Sequence, residues 1–297
     1  METTLLGRTG ITVSRLGFGG APAGLTNYLD AYSPADDEQR RTVIAALERA
    51  LELGVTYFDT APGYGDGASE AIYGDVLSGA GDDIFVATKV GPTETDLRAS
   101  VEASLHRLRR DHIDLLQIHG SSYSCAMADA LLAPEGMVAQ MEALRDEGLI
   151  RFLGFTTEDN NPAVYRFIES GRFDVMQLCY NLLYQHPAEW TRPFGAMFEA
   201  EAQGMGIVTM RTATSGLLQR WIQWANPANT FDYTPALLQF VLSNPLVDVA
   251  LVGMREADIV EVNVRIVDDL TRRINLEELH AKYVSSSPKI QDPGLTP

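Results

Sequence analysis

The feature that most constrains this chain is a joint that recurs along it: an amphipathic helix stops at a glycine, and an apolar, β-branched run follows at once. The clearest copies are ALERALELG followed by VTYFDT, MEALRDEG by LIRFLGFT, VYRFIESG by RFDVMQL and FEAEAQG by MGIVTM, with the helix-ending glycines at positions 54, 148, 171 and 204. In the helix before Gly54, Val43, Leu47, Ala50 and Leu51 share one face, and after Asp96 the residues Leu97, Val101, Leu105 and Leu108 do the same. Each helix therefore has one face to bury. The strands, such as IFVAT at 84–88 and IDLLQI at 113–118, are apolar on both alternations, which suits a parallel sheet covered on both sides.

Eight such strands are expected, at Leu16–Gly20, Val55–Asp59, Ile84–Thr88, Ile113–Ile118, Arg151–Phe155, Val175–Leu178, Ile207–Met210 and Val249–Val252. Their alternation with helices in a chain of 297 residues points to an α/β fold, a (β/α)8 TIM barrel, more than to an open doubly wound sheet. The segment LGFGGAPAG agrees, since it leads into a loop with Tyr28, Asp30, Tyr32 and Pro34 and has no G-x-G-x-x-G opening a helix. Ahead of it, LLGRTGITVS reads as a small β-hairpin turning at Arg8–Gly10 that closes the barrel floor. Residues 1–284 are expected to form one barrel domain, and 285–297 (SSSPKIQDPGLTP) a flexible tail. The long connection 211–233, rich in Trp and Asn, reads as a functional loop.

Charge and cysteine content remove other classes. A net charge of -17 without a basic stripe argues against nucleic acid as a partner. Cys125 and Cys179 are in no C-x-x-C pair and stand beside no His at ligand spacing, so neither a disulfide framework nor a metal site is expected. The opening METTLLGRTG lacks the apolar run of a signal peptide, and no stretch reaches bilayer-spanning length, so a cytoplasmic protein without membrane contact is expected.

In a barrel of this kind, chemistry collects at the C-terminal ends of the strands. There the sequence sets Asp59, then Tyr64 in the following loop TAPGYG, Lys89 and His119. Singly, each has a plainer explanation: Asp59 as a helix cap, Lys89 as a surface charge, His119 as a satisfied rim histidine. Together they make a proton-transfer site. A neighbouring Lys⁺ favours the phenolate, so Tyr64 is expected to titrate below the usual phenol value of about 10 and act as an acid. A carboxylate at Asp59 would hold Lys89 charged and in place, while His119 could donate to a substrate oxygen. None of the four carries a hydride, which a redox cofactor would have to supply.

The segments GVTYFDTAPGYG, IFVATK and IDLLQIH resemble the aldo-keto reductase family, and the likeness runs from LGRTGITVSRLGFGG to GMREADIVEVN. The resemblance implies that Asp59, Tyr64, Lys89 and His119 form a catalytic tetrad: Tyr64 the general acid, Lys89 and Asp59 tuning it, His119 orienting the carbonyl. It implies a nicotinamide cofactor beside Gly20 and Ala21, with Thr156, Thr157 and Gln177 toward the carboxamide. Met210 would stand where many members stack an aromatic ring, followed by Arg211 and then Ser215 in the pyrophosphate loop. At the adenosine end, Gly253, Met254, Arg255 and Asn263 match, with Arg255 the phosphate partner that favours NADP(H) over NAD(H). Two departures weigh the other way: Ile259 replaces a frequent Arg or Gln, and Glu256 could accept from a free 2′-hydroxyl.

The resulting expectation is an NAD(P)H-dependent reductase of an aldehyde or ketone, sugar-derived among the options. Run backwards, the same site is an aldose 1-dehydrogenase that makes a lactone. From another class, the chain could be a cofactor-sensing regulatory subunit with little turnover, against which the intact tetrad speaks. The loops 21–36, 120–134 and 211–233 should set the substrate. HGSSYS after the fourth strand departs from the family's usual Pro/Asp-containing continuation. Trp190, Trp221, Trp224, Tyr28 and Tyr32 are weighed as pocket aromatics but pack equally well against their own loops.

Overall fold

All eight expected strands form, and they close on one another. The computed structural model describes residues 1–81, 83–189, 194–276 and 278–279. In chain order these give β1 (Thr3–Leu5), β2 (Thr12–Ser14), β3 (Leu16–Gly19), α1 (Ala21–Gly24), α2 (Asp37–Glu52), β4 (Tyr57–Asp59), α3 (Ala68–Leu77), β5 (Phe85–Val90), α4 (Leu97–Leu108), β6 (Ile113–Ile118) and α5 (Cys125–Leu132). There follow α6 (Met137–Asp146), β7 (Ile150–Thr157), α7 (Pro162–Glu169), β8 (Val175–Cys179), α8 (Ala196–Ala202), β9 (Gly206–Met210), α9 (Leu217–Ala225), α10 (Thr234–Leu242), β10 (Val249–Gly253) and α11 (Ala257–Asp268). The strands β3 to β10 pair in sequence, all parallel, and β10 returns to β3 to close the barrel. The tail from 285 lies outside the described residues.

The joints work as the sequence suggests. Gly54, Gly148, Gly171 and Gly204 all take positive φ, from +67° to +83°, and so end each helix in the left-handed conformation that glycine adopts without a Cβ penalty. At the other ends, Asp36 caps α2 by accepting from Glu38 N and Gln39 N, and Asp96 and Asn161 cap α4 and α7. The buried face of α2 is Val43, Ala46, Leu47 and Ala50, with Leu51 only partly buried.

Two apolar cores result. The larger lies between sheet and helices and takes the outward alternation of the strands, such as Phe58, Val86, Leu116 and Leu153. The smaller fills the barrel from Tyr57, Phe85, Ala87, Leu115, Val175, Val208, Val249 and Leu251. Leu6 and Val13, both buried, join this inner core from the N-terminal hairpin. β1 and β2 pair antiparallel around a 3-10 turn at Gly7–Thr9, and Arg8 donates to Gly171 O (2.9 Å), Phe173 O (2.6 Å) and Gln203 O (3.3 Å). The hairpin is thus a plug: its apolar residues enter the barrel floor while its arginine ties off carbonyls at the helix-to-strand joints.

The expected loop 211–233 is not structureless. It carries α9, a helix of nine residues with none buried.

Candidate active site

Side chains alternate along a strand, so residues two apart share a face. Above the apolar layer of Tyr57, Ala87, Leu115 and Val175, the next inward positions are Asp59, Lys89, Gln117 and Gln177. A polar tier therefore sits directly on the apolar one, at the C-terminal mouth. All four residues are at most 1% exposed. Lys89 Nζ donates to Asp59 Oδ1 at 2.6 Å and to Thr60 O at 2.7 Å. Gln117 Nε2 donates to Asp59 Oδ2 at 3.0 Å and to Gln177 Oε1 at 3.3 Å. Gln117 was not anticipated, although it was legible as the polar member of the inward face of IDLLQI.

Tyr64 reaches over this tier from the loop after β4. That loop is held by contact too close for side chains: a Cβ on Gly65, at φ +71°, would lie 2.1 Å from Gly24 O, and one on Gly24 would lie 2.2 Å from Tyr64 O. Thr60 Oγ1 donates to Ser69 Oγ (2.8 Å), which donates to Gly20 O (2.9 Å), tying the same loop to the end of β3. Lys89 Nζ stands 4.9 Å from the Tyr64 ring centroid, and the His119 ring meets Tyr64 edge to face at 5.5 Å. The four residues expected to meet at one rim do so, and Lys89, 1% exposed, is no surface charge.

The electrostatics correct one expectation. Lys89 does pull the Tyr64 phenol down, but burial outweighs it and Asp59 adds to the rise, so the net shift is upward from 10.0. Tyr64 is a phenol, not a phenolate, at neutral pH. Burial pushes the Lys89 ammonium down, yet Asp59 and the phenol oxygen reverse this and its pKa ends above the ordinary lysine value. His119 falls to about 3, through burial and then the Lys89 charge, so its imidazole is neutral and has one N–H to donate.

These side chains open into a cleft of about 370 Å³. Of the cofactor positions expected from sequence, Gly20, Ala21, Thr156, Gln177, Met210, Arg211, Ser215 and Gly253 line it. Thr157, Met254, Arg255 and Asn263 do not: Thr157 Oγ1 is turned to the Asp159 backbone, Met254 packs in the outer core, Asn263 is buried on α11, and Arg255 pairs with Asp30. Arg211, expected free for a phosphate, pairs with Glu158 at 2.8 Å. Leu25, Leu29 and Ser121, from the loops 21–36 and 120–134 expected to set the substrate, also line the cleft, and Glu158 was not anticipated. Tyr28 also lines the cleft, Tyr32 is buried behind it, Trp221 and Trp224 are exposed on α9 away from the lining, and Trp190 lies outside the described residues.

The cleft suits a dinucleotide. Among the described residues, three of the six non-glycine positions with positive φ, Arg211, Thr214 and Ser215, fall in one turn with Gly216 at +71°. This turn closes on itself, Thr214 N–H donating to Arg211 O at 2.7 Å and Gly216 N–H to Ala213 O at 3.1 Å, and its Ser215 and Gly216 stand in the cleft lining. Gln177 Oε1 accepts from Gln117, its side chain also reaches the Asp59 carboxylate, and the residue lines the cleft. Among the described residues, no cluster of His, Cys, Asp and Glu could hold a metal ion, no helix is long and apolar enough to cross a membrane, and both cysteines are free.

The (β/α)8 barrel thus carries a buried lysine–carboxylate pair beneath a phenol and a neutral imidazole at its C-terminal mouth, groups able to exchange a proton with a bound molecule. The chain matches the Aldo/keto reductase family over residues 15–237 and belongs to that family; it is an NAD(P)-dependent oxidoreductase. Among its relatives is L-galactose dehydrogenase of Arabidopsis thaliana, 27% identical, with the match spanning 91% of this chain and 89% of that one. An uncharacterized oxidoreductase, YqkF, of Bacillus subtilis is 27% identical over 64% of this chain, which spans 60% of its length. The fold is shared with an aldo-keto reductase of Bacillus halodurans in its holo form, with a TM-score of 0.75 at 25% identity and 96% of each chain covered.

Proposed function

We propose that this protein reduces an aldehyde or ketone to the alcohol, with Tyr64 as the proton donor. The observation that carries the reading is the 2.6 Å Lys89–Asp59 pair, buried directly below the Tyr64 ring. A reduced nicotinamide, when bound, supplies the hydride. His119, neutral, donates to the carbonyl oxygen and turns it toward Tyr64. The Tyr64 hydroxyl gives its proton to that oxygen as negative charge develops there, and the charge of Lys89 stabilises the phenolate left behind. Asp59 keeps Lys89 charged in a site from which water is largely excluded. Thr156 and Gln177 orient the carboxamide, and the 211–216 turn holds the pyrophosphate.

Each of these steps is reversible, and the relation to L-galactose dehydrogenase over nearly the whole chain favours a second reading, oxidation of an aldose at C1 to its lactone. Ser121, Glu158 and Arg211 at the mouth are hydrogen-bonding groups suited to a polyol. Either direction rests on Tyr64, so the test is common. Tyr64→Phe should lower turnover with simple aldehydes and with aldoses by about a hundredfold or more, while nucleotide affinity, read from Trp fluorescence, stays the same. A variant as active as the wild type would remove Tyr64 from the acid's role.

A further inference from the structure

Three cations at or beside the cleft are held by carboxylates: Lys89 by Asp59, Arg211 by Glu158, and Arg255 by Asp30. The first belongs to the proton-donor site. The third has no role in that chemistry, yet it spans the cleft's edge, joining the segment between α1 and α2 to the start of α11 across 225 positions of sequence. On one side of it Tyr28 and Leu29 line the cleft, and on the other Gly253 does.

The pair is built rather than incidental. Asn27, in the left-handed region at φ 53°, donates its N–H to Tyr32 O (2.9 Å), and its side-chain oxygen accepts from Tyr32 N (3.1 Å). The two bonds close a tight loop with Asp30 near its tip. Tyr32 is buried, donates its hydroxyl to Ala23 O at 2.7 Å, and presents its ring 4.5 Å from the Arg255 guanidinium. Arg255 is thereby fixed by an aromatic face and a carboxylate, with its side chain only 17% exposed. Entropy of ordering, which makes most surface pairs worth little, has been spent in folding the loop. Beyond Arg255, Glu256 precedes α11 and Asp258 lies in its first turn, so the N–H groups at this helix start are faced by further negative charge.

We infer that Asp30 is a cofactor-selecting residue: by holding Arg255, it sets the adenosine end of the cleft against a 2′-phosphate and in favour of the free 2′-hydroxyl of NAD(H). This rests on the reading that the cleft takes a nicotinamide dinucleotide. A near-dianionic 2′-phosphate would have to displace Asp30 from Arg255 and then remain beside the displaced carboxylate. A 2′-hydroxyl does neither, and can donate to an acidic side chain. Arg255 therefore does not select NADP(H) in this chain, because its charge is already met.

The experiment measures dissociation constants of NAD⁺ and NADP⁺, with adenosine 2′,5′-bisphosphate as a probe of the adenosine end alone, by titration calorimetry on wild type, Asp30→Asn, Asp30→Ala and each combined with Arg255→Met. Asp30 is exposed, so its replacement leaves the barrel folded. The wild type should prefer NAD⁺. Both Asp30 variants should bind NADP⁺ and the bisphosphate about tenfold more tightly, the worth of a charge-assisted hydrogen bond made available, with NAD⁺ unchanged, and Arg255→Met should erase the gain. An unchanged ratio of the two nucleotides, an equal change in both, or a gain that survives Arg255→Met overturns the selector role while leaving the dinucleotide cleft intact. Absence of binding by either nucleotide to the wild type would overturn the cofactor reading, and this inference with it.

Discussion

His119 and Tyr64 meet edge to face, and what each can do is decided by the charge state burial leaves it in. The imidazole titrates at about 3, and the phenol above its ordinary value of 10.0. For the proposed reduction, the active form is therefore neutral His119 with protonated Tyr64. It is lost as pH falls through the first value and as pH rises through the second. kcat/KM for a non-ionising aldehyde should accordingly be flat between roughly pH 5 and 9. A limb near 6.5, the unperturbed histidine value, would mean that water reaches His119 and that it charges in the working range. The tetrad itself was legible because its members are chemically complementary and fall at strand ends. The direction of the Tyr64 shift was not, because a sequence shows which charge is near a phenol and not how much water has been removed from it.

At the scale of elements, the N-terminal hairpin and the start of β10 meet at the barrel floor. Asp248 accepts from Ile207 N at 2.9 Å there and faces the Gly7 N–H of the hairpin turn. Burial nevertheless raises its pKa to about 6 from 3.8. Between those values the folded chain holds a proton that the unfolded chain has released, so this residue makes stability fall as pH rises, by about 3 kcal/mol once fully ionised. Asp248→Asn carries no such slope. Its Tm relative to wild type should climb between about pH 4 and pH 7, whatever offset the loss of one acceptor sets. A difference that is constant with pH would show that Asp248 is solvated at the floor. The hairpin was readable from LLGRTGITVS, but Arg8 as the tie to three joint carbonyls depends on joints some 165 to 195 residues distant.

For the whole molecule we propose that residues 1–284 unfold as one unit, since the first residues are bound to the last helix: Glu2 N donates to Asp268 Oδ1 at 2.8 Å, and the Glu2 carboxylate takes Arg15 and Arg273. With 40 acidic side chains against 23 Lys and Arg, the net charge of -17 leaves an excess of negative charge that the ion pairs do not cancel. Exposed ion pairs contribute about 0–1 kcal/mol each and weaken in salt, but the excess of one sign weakens with them. The repulsion dominates at this composition, so a single thermal transition should move upward by a few degrees between about 20 mM and 300 mM NaCl. A fall in Tm, or two separable transitions, would contradict the charge argument or the single unit respectively.

What the sequence determined alone is whatever is written in periodicity and local stereochemistry. Glycines at the helix ends, apolar alternation and polar residues at strand ends gave the eight strands, the barrel and the four residues at its mouth. Tertiary structure decided what depends on distance across the barrel. Gln117 became the bridge between Asp59 and Gln177, the cations Arg211 and Arg255 acquired carboxylate partners from other loops, and Thr157, Met254 and Asn263 turned away from the cleft. Strand spacing fixes where a side chain stands along its own strand, whereas charge pairing and burial are properties of what the neighbouring loops bring to it.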